Sequence, residues 1–187
     1  SQVLHELEES GFITTLPQAG KKMRDLHYYL SDEYTLFYLK WIEPEKGALL
    51  QGVEKEYWMK RQTLPSWNSW SGFAFESLCL KHVTEIKEAL KIGGVSSVSG
   101  YWKSVIDGVK ESEIDLVIDR RDQCINLCEI KFCSEEYTLT KAYADVLQRK
   151  KTLFRERTKT KKTLFTTLIT PFGTKKNRYS MEAIDNQ

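Results

Sequence analysis

The 187-residue sequence has few cysteines and no long run of apolar residues. No segment approaches the ~20 consecutive apolar residues that a membrane-spanning helix needs, and the first residues lack the basic-then-apolar plan of a signal peptide. Cys124, Cys128 and Cys133 lie close together, but the absence of a CxxC pair or a nearby His does not favour a zinc site. We therefore expect free thiols in a cytoplasmic protein without membrane association.

The sequence also lacks a nucleotide-binding P-loop. No Gly-x₄-Gly-Lys-Ser/Thr motif occurs, and the nearest stretch, from Gly94 to Ser104, has the wrong spacing. We therefore expect no ATP hydrolysis by this chain.

Composition is that of a folded globular protein, with 41% hydrophobic and 29% charged residues. The net charge of +2 hides an asymmetry: residues 149–178 hold eleven Lys/Arg and one acid, whereas residues 106–136 hold nine acids and four Lys/Arg. An acidic centre beside a basic flank suits a metal site that acts on a polyanion. A lysine-rich helix that is simply solvated gives the same pattern.

The stretch from Glu113 to Phe132 predicts a β-hairpin around which the chain is organised. Strands are predicted at 114–118 and 124–132, joined by a wholly polar turn. Alternation along a strand places Glu129 and Lys131 on one side. Antiparallel pairing brings Asp115 close to Glu129 across the ladder.

This combination of side chains has a chemical use. The carboxylates of Asp115 and Glu129, with the backbone carbonyl of Ile130, are the oxygen ligands that Mg²⁺ or Mn²⁺ prefers. Such an ion polarises a phosphoryl oxygen, while Lys131 steadies the attacking water or the developing charge. A surface hairpin decorated with charges is the alternative, but charges within an otherwise apolar strand need partners or a metal.

Periodicity predicts the remaining elements. We expect helices at 1–10, 33–42, 44–61, 71–91 and 138–157, and further strands at 12–15, 25–30, 95–105 and 163–170. The stretch 64–70 breaks the pattern and predicts a domain boundary. Its tryptophans, Trp67 and Trp70, are expected to pack over the following helix rather than to stack on bases.

The first forty residues resemble part of a known module. Helix, strand, basic loop and strand, with the phrases Leu-Glu-Glu-Ser-Gly-Phe-Ile and Tyr-Leu-Ser-Asp-Glu-Tyr, resemble the winged-helix segment of archaeal-type AAA+ ATPases. The first two helices of that module are missing, so we expect a fragment or a truncated gene product. The resemblance implies DNA contact through Lys21, Lys22 and Arg24 in the loop. Packing between domains is the alternative role.

The order from residue 71 onward is helix, strand, strand, strand, helix, strand, with Phe75-Glu76, Glu113-Ile114-Asp115 and Cys128-Glu129-Ile130-Lys131 on its elements. This resembles the PD-(D/E)XK nuclease core, in particular the nuclease-like C-terminal domain of the same ATPases. The resemblance implies an α/β, restriction-endonuclease-like fold with a mixed central sheet flanked by helices. It also implies that Asp115 and Glu129 bind Mg²⁺, that Lys131 assists the water and that Glu76 is accessory. Ile114 stands where the motif has Pro.

These observations predict three segments: a partial winged helix at 1–42, a helical linker at 43–70 and a nuclease-like domain at 71–187. The expected function is Mg²⁺-dependent hydrolysis of DNA phosphodiester bonds, with Lys150 and Lys151 on the phosphate backbone and an ATPase domain or ATPase protein as partner. The alternative is a catalytically inactive nuclease-fold module that binds DNA or protein. A further alternative is sequence-tolerant DNA binding through the wing alone.

Overall fold

The structure is a computed structural model that describes residues 2–20 and 26–187. The predicted wing residues Lys21, Lys22 and Arg24 lie outside these ranges, so their contact with DNA stays a prediction.

The described part of the chain contains eight α-helices and six β-strands. The helices are α1 (Gln2–Glu9), α2 (Glu33–Phe37), α3 (Lys46–Gln51), α4 (Tyr57–Gln62), α5 (Pro65–Lys81), α6 (Val83–Ala89), α7 (Lys141–Thr158) and α8 (Arg178–Ala183). A π-helical turn (Tyr38–Ile42) and a 3₁₀ turn (Glu43–Glu45) connect α2 to α3. The strands are β1 (Ile13–Pro17), β2 (Leu26–Leu30), β3 (Ser97–Ile106), β4 (Val109–Arg120), β5 (Cys124–Ile130) and β6 (Thr163–Ile169).

The described residues form two compact units. The first comprises Ser1–Thr15 and Tyr28–Lys81, and the second comprises Leu16–His27 and His82–Gln187. Among the described helices, none combines the length and apolarity needed to cross a bilayer. The domain bounds predicted from the sequence, at residues 42 and 70, stay predictions.

The first unit is held by aromatic side chains. Trp41 is buried, and its ring centroid lies 5.1 Å from that of Trp67 and 5.9 Å from that of Trp70. Phe37 extends the cluster, 5.5 Å from Trp58 and 6.0 Å from Trp70. Edge-to-face and tilted pairs at these separations stabilise a core beyond the apolar area that they bury. Trp67 and Trp70 thus pack against Trp41, but they lie within α5 itself and do not pack over a following helix as predicted.

Two predicted helix boundaries in this region are wrong. The helix predicted at 44–61 is split, because Gly52 ends α3 with a φ of 96°, a conformation that favours glycine. The predicted break at 64–70 is instead the start of α5. Pro65 is the first residue of that helix, a position where proline costs no hydrogen bond and its fixed φ suits the helix.

The helix predicted at 71–91 is also two helices. His82 separates α5 from α6 with non-helical angles, φ −107° and ψ 38°. Lys91, two residues after the end of α6, has a positive φ of 58°.

The second unit contains a four-stranded mixed sheet in the order β3-β4-β5-β6. The pairs β3–β4 and β4–β5 are antiparallel, whereas β5–β6 is parallel and is connected through α7. The predicted α/β class, a mixed sheet with helices, is confirmed. Its core is a cluster of buried side chains: Trp102, Ile114, Val117, Ile125, Leu127, Phe154 and Leu164.

Backbone from the chain's first part reaches the free edge of β3. The Ala19 backbone N donates to the Tyr101 carbonyl oxygen at 2.7 Å, and Gln18 Nε2 donates to the Lys103 carbonyl oxygen at 2.8 Å. Gly100 allows this approach, since a Cβ at that residue would lie 2.5 Å from the Pro17 carbonyl oxygen.

The opposite edge of the sheet, β6, is met by the last residues. Thr167 forms a parallel bridge with Asn186, and the Thr166 backbone N donates to Asp185 Oδ2 at 2.7 Å. The last residues therefore reach β6 through an isolated bridge that follows α8.

Replacing Gly100 by alanine should destabilise the second unit by about 1–3 kcal/mol, because the added methyl group displaces the Pro17 carbonyl from the edge of β3. Urea unfolding would measure the change. Gly94→Ala is the matched control, since a Cβ there has no heavy atom within 4 Å. Equal stability of the two variants would contradict this role of Gly100.

Candidate functional site

Asp115 lies in an irregular part of β4. Gly100 pairs with Val117, but Trp102 pairs with Ile114, so Asp115 and Leu116 together oppose one residue of β3. This is a β-bulge, which re-aims side chains and is frequent beside functional sites.

The bulge directs the Asp115 carboxylate toward the end of β5. Asp115 Oδ2 accepts a hydrogen bond of 2.8 Å from the backbone N of Ile130. The β4–β5 register, in which Leu116 pairs with Cys128, continues to put Asp115 opposite Glu129. The predicted approach of these two acids across the hairpin is therefore present.

Glu129 is the most enclosed charged side chain of the site, with only 3% of its surface exposed. Lys150 Nζ donates to both carboxylate oxygens, at 2.7 Å to Oε1 and 2.6 Å to Oε2. The hydroxyl of Tyr143 donates to Oε2 at 3.0 Å. Both oxygens of the carboxylate are thus held by α7.

Lys131 lies on the same side of β5 as Glu129, as the alternation predicted. Its Nζ is 3.9 Å from Glu129 Oε2 and 5.5 Å from the centroid of the Tyr143 ring. A cation over an aromatic face is attracted by the negative face of the ring. Tyr143 therefore positions both members of the Glu129-x-Lys131 pair.

Burial dominates the electrostatics of this site. It raises the pKa of the Glu129 carboxyl above its usual value, and the nearby Asp115 charge acts in the same direction. Lys150 and Lys131 oppose this by favouring the carboxylate form. Burial, followed by the charge of Glu129, also raises the pKa of the Tyr143 hydroxyl, which stays protonated as a donor.

Helix α7 brings Tyr143 and Lys150 to the sheet. Thr140 caps its first turn by accepting from the Tyr143 backbone N at 3.3 Å. Tyr143, Leu147, Lys150 and Phe154 follow the i, i+4, i+7, i+11 spacing of one helix face. Leu147 and Phe154 on this face are buried.

Sequence reasoning missed the contacts of two of these residues with Glu129. It assigned Lys150 to the phosphate backbone of DNA. The available signal was the position of Lys150 within a stripe of apolar residues, because a lysine there needs a buried acid as its partner.

Much of the predicted basic flank is engaged within the protein. Lys151 pairs with Asp185 at 3.1 Å, Arg157 pairs with Glu111 at 2.9 Å, and Lys162 pairs with Asp119. Six exposed basic residues of this flank form no ion pair within the described part of the chain: Arg149, Arg155, Lys159, Lys161, Lys175 and Lys176.

An open groove of about 450 Å³ lies between β4 and α7, beside Lys150. Its lining carries both signs of charge: Lys110, Glu111, Glu113, Arg149, Lys150 and Glu156. Val146 and Leu153 supply apolar surface. The groove is therefore amphipathic rather than a purely cationic channel.

Glu76 lies in α5, in the first unit. Its accessory role at the site stays a prediction.

The donor set suits one kind of metal better than another. Within residues 2–20 and 26–187, no three or more His, Cys, Asp or Glu side chains are grouped so that they could hold an ion. Structural zinc, which takes four protein ligands, therefore does not fit. Mg²⁺ keeps several waters and is bound through one or two carboxylates, so the pair Asp115 and Glu129 fits its chemistry.

Lys150→Met should lower the free energy of unfolding by about 3 kcal/mol near neutral pH, because it leaves the buried Glu129 carboxylate without its ammonium partner. The loss should shrink as pH falls toward the ordinary pKa of a glutamate in the unfolded chain, about 4.3. Well below its unfolded pKa, the Glu129 carboxyl is protonated in both the folded and the unfolded protein and needs no cation. As pH rises toward the raised folded pKa, burying the carboxyl costs progressively more, because the unfolded protein has already released the proton.

Urea unfolding across this pH range measures the effect. Lys151→Met removes a neighbouring lysine whose partner is the more accessible Asp185, and its loss should be below about 1 kcal/mol without that pH dependence. A loss in Lys150→Met that stays constant with pH would contradict the pairing with a buried carboxylate.

Comparison with known proteins identifies a family and nothing more specific. Residues 38–145 match the DUF234 model, described as archaeal and bacterial proteins of unknown function. No curated protein and no solved structure matches the chain. Because the match covers more than half of the sequence, the chain belongs to this family of archaeal and bacterial proteins.

Proposed function

We propose that this protein is a metal-dependent nuclease that hydrolyses DNA phosphodiester bonds. One observation carries the proposal: Asp115, Glu129 and Lys131 meet at one end of the β4–β5 hairpin, with Asp115 Oδ2 bonded to the Ile130 backbone N and Lys131 Nζ 3.9 Å from Glu129 Oε2. Two carboxylates beside an ammonium are a recurrent arrangement for positioning a divalent ion and a water at a phosphate.

The roles follow from the chemistry of each group. A bound Mg²⁺ or Mn²⁺ supplies Lewis-acid polarisation of a phosphoryl oxygen. Asp115 and Glu129 would hold such an ion, and the Ile130 carbonyl would add a further oxygen ligand. Lys131 orients the attacking water and stabilises negative charge that develops on the phosphate. Tyr143 keeps Glu129 and Lys131 in place through its hydroxyl and its ring.

The phosphate backbone is assigned to the exposed cations of the basic segment. Arg149, Arg155, Lys159 and Lys161 are exposed, so they are available to an outside polyanion, as phosphate contacts require. Lys150 and Lys151, also predicted as nucleic-acid contacts, are bonded to Glu129 and Asp185 in this structure. The phosphate contacts are therefore better sought among the exposed, unpaired residues of the segment.

The finer family assignment is part of the same proposal. The element order α5, β3, β4, β5, α7, β6, with β4 antiparallel to its neighbours, supports a PD-(D/E)XK core. The order α1, β1, β2 supports a partial winged helix. On this basis the chain would act together with an ATPase domain or an ATPase protein, as the sequence resemblance implies.

Nuclease assays with Mg²⁺ or Mn²⁺ on double- and single-stranded DNA test the activity. Asp115→Ala should lower cleavage by at least about 100-fold, because it removes one of two acidic ligands. The matched control is Asp119→Ala, an aspartate on the same strand that pairs with Lys162 outside the site. Activity in the control should stay within about threefold of wild type. Equal cleavage by wild type and Asp115→Ala would reject the nuclease proposal.

A second function, a catalytically inactive nuclease-fold module for binding DNA or protein, is favoured by one observation. Lys150 and Tyr143 already occupy both oxygens of Glu129, which gives the carboxylate a structural use without any metal. Calorimetric titration that detects no Mg²⁺ or Mn²⁺ binding would favour this function over catalysis.

A further inference from the structure

We propose that Lys150 is an internal counter-cation of the site: it holds Glu129 in the metal-free protein and leaves it when a divalent cation binds. This inference rests on the proposed function, since it concerns the same two acids. It goes beyond that function by assigning a competing role to a residue outside the hairpin.

The geometry shows that Lys150 and a metal ion compete for the same atoms. Lys150 Nζ lies 2.7 Å from Oε1 and 2.6 Å from Oε2, so it bridges the edge of the carboxylate. An ion that Glu129 binds through either oxygen on that edge meets the ammonium group. Lys131 Nζ, at 3.9 Å from Oε2, is too distant to hold the carboxylate in the same way.

Burial explains why a cation is needed there in either state. Glu129 is 3% exposed, and an ionised carboxylate in such surroundings needs an opposite charge. Without metal, Asp115 and Glu129 are balanced by Lys131 and Lys150. A divalent cation would bring two further positive charges, so retaining Lys150 at Glu129 would add repulsion to a crowded site.

The structure also offers the released ammonium a place to go. Lys150 lies on α7 and lines the open groove of about 450 Å³ between α7 and β4. Carboxylates of Glu111, Glu113 and Glu156 line the same groove, where Arg157 pairs with Glu111 and Lys110 pairs with Glu113. A long, flexible lysine can turn from Glu129 into this groove, toward the Glu156 carboxylate, by rotamer changes alone, with α7 in place. The fold thus offers the Lys150 ammonium group two positions, one at Glu129 and one in the groove between α7 and β4.

Calorimetric titration of Mn²⁺ into three proteins tests the inference: wild type, Lys150→Met and Lys151→Met. We expect Lys150→Met to bind Mn²⁺ at least about tenfold more tightly than wild type, a change equivalent to 1.4 kcal/mol. Lys151→Met removes the same charge from the adjacent position, which pairs with Asp185. Its affinity should remain within about twofold of wild type, because Lys151 pairs with the exposed Asp185 and not with the acids of the site, and long-range effects of one charge are largely screened by salt.

The outcomes separate this inference from the proposed function. Equal affinity in wild type and Lys150→Met would overturn the competition while leaving the metal site intact. An equal gain in both lysine variants would also overturn it, because the gain would then reflect overall charge. Absence of Mn²⁺ binding in all three proteins would overturn the metal site itself and, with it, the proposed function.

A measurement on the wild-type protein covers the case in which Lys150→Met fails to fold. Acetylation by acetic anhydride, followed residue by residue with mass spectrometry, reports the accessibility of each lysine Nζ. With Mg²⁺ added, the rate at Lys150 should rise several-fold, about threefold or more, while the rate at Lys151 stays constant. An unchanged rate at Lys150, at Mg²⁺ concentrations where calorimetry detects binding, would overturn the inference.

Discussion

The buried carboxylate of Glu129 is the constraint on which the candidate site depends. An ionised group with 3% of its surface exposed is stable only with cations and donors around it. The protein supplies these from two directions: Lys131 from the same strand, and Lys150 with Tyr143 from α7. The packing of α7 on the sheet and the charge state of the site are therefore linked.

The scaffold around this residue follows from ordinary rules of strand and helix structure. The bulge at Asp115 turns its carboxylate toward the Ile130 backbone N. At this end of the β4–β5 pair, a side-chain oxygen therefore accepts the hydrogen bond. One face of α7 then covers the hairpin, with Leu147 and Phe154 buried on either side of Lys150. The candidate site and the buried core use the same face of α7, so a substitution at residue 150 affects both.

The sequence predicted the hairpin well because strand alternation is local. Asp115, Glu129 and Lys131 could be placed together from period and turn alone. Helix boundaries were less predictable, since the break at His82 depends on tertiary structure and Pro65 is compatible both with a turn and with a first helical turn. The partner of Lys150 could not be predicted, because it depends on which face of α7 meets the sheet.

The chain belongs to a family of archaeal and bacterial proteins of unknown function, so a test of this site also bears on the function of that family. The central claim is that Asp115 and Glu129 form a divalent-cation site. A crystal structure of the protein soaked in Mn²⁺, with anomalous data, tests it most directly. The account predicts an anomalous peak within ligand distance of both carboxylates and Lys150 Nζ turned away from Glu129. A structure without such a peak, and with Lys150 still bonded to both oxygens of Glu129, would contradict it.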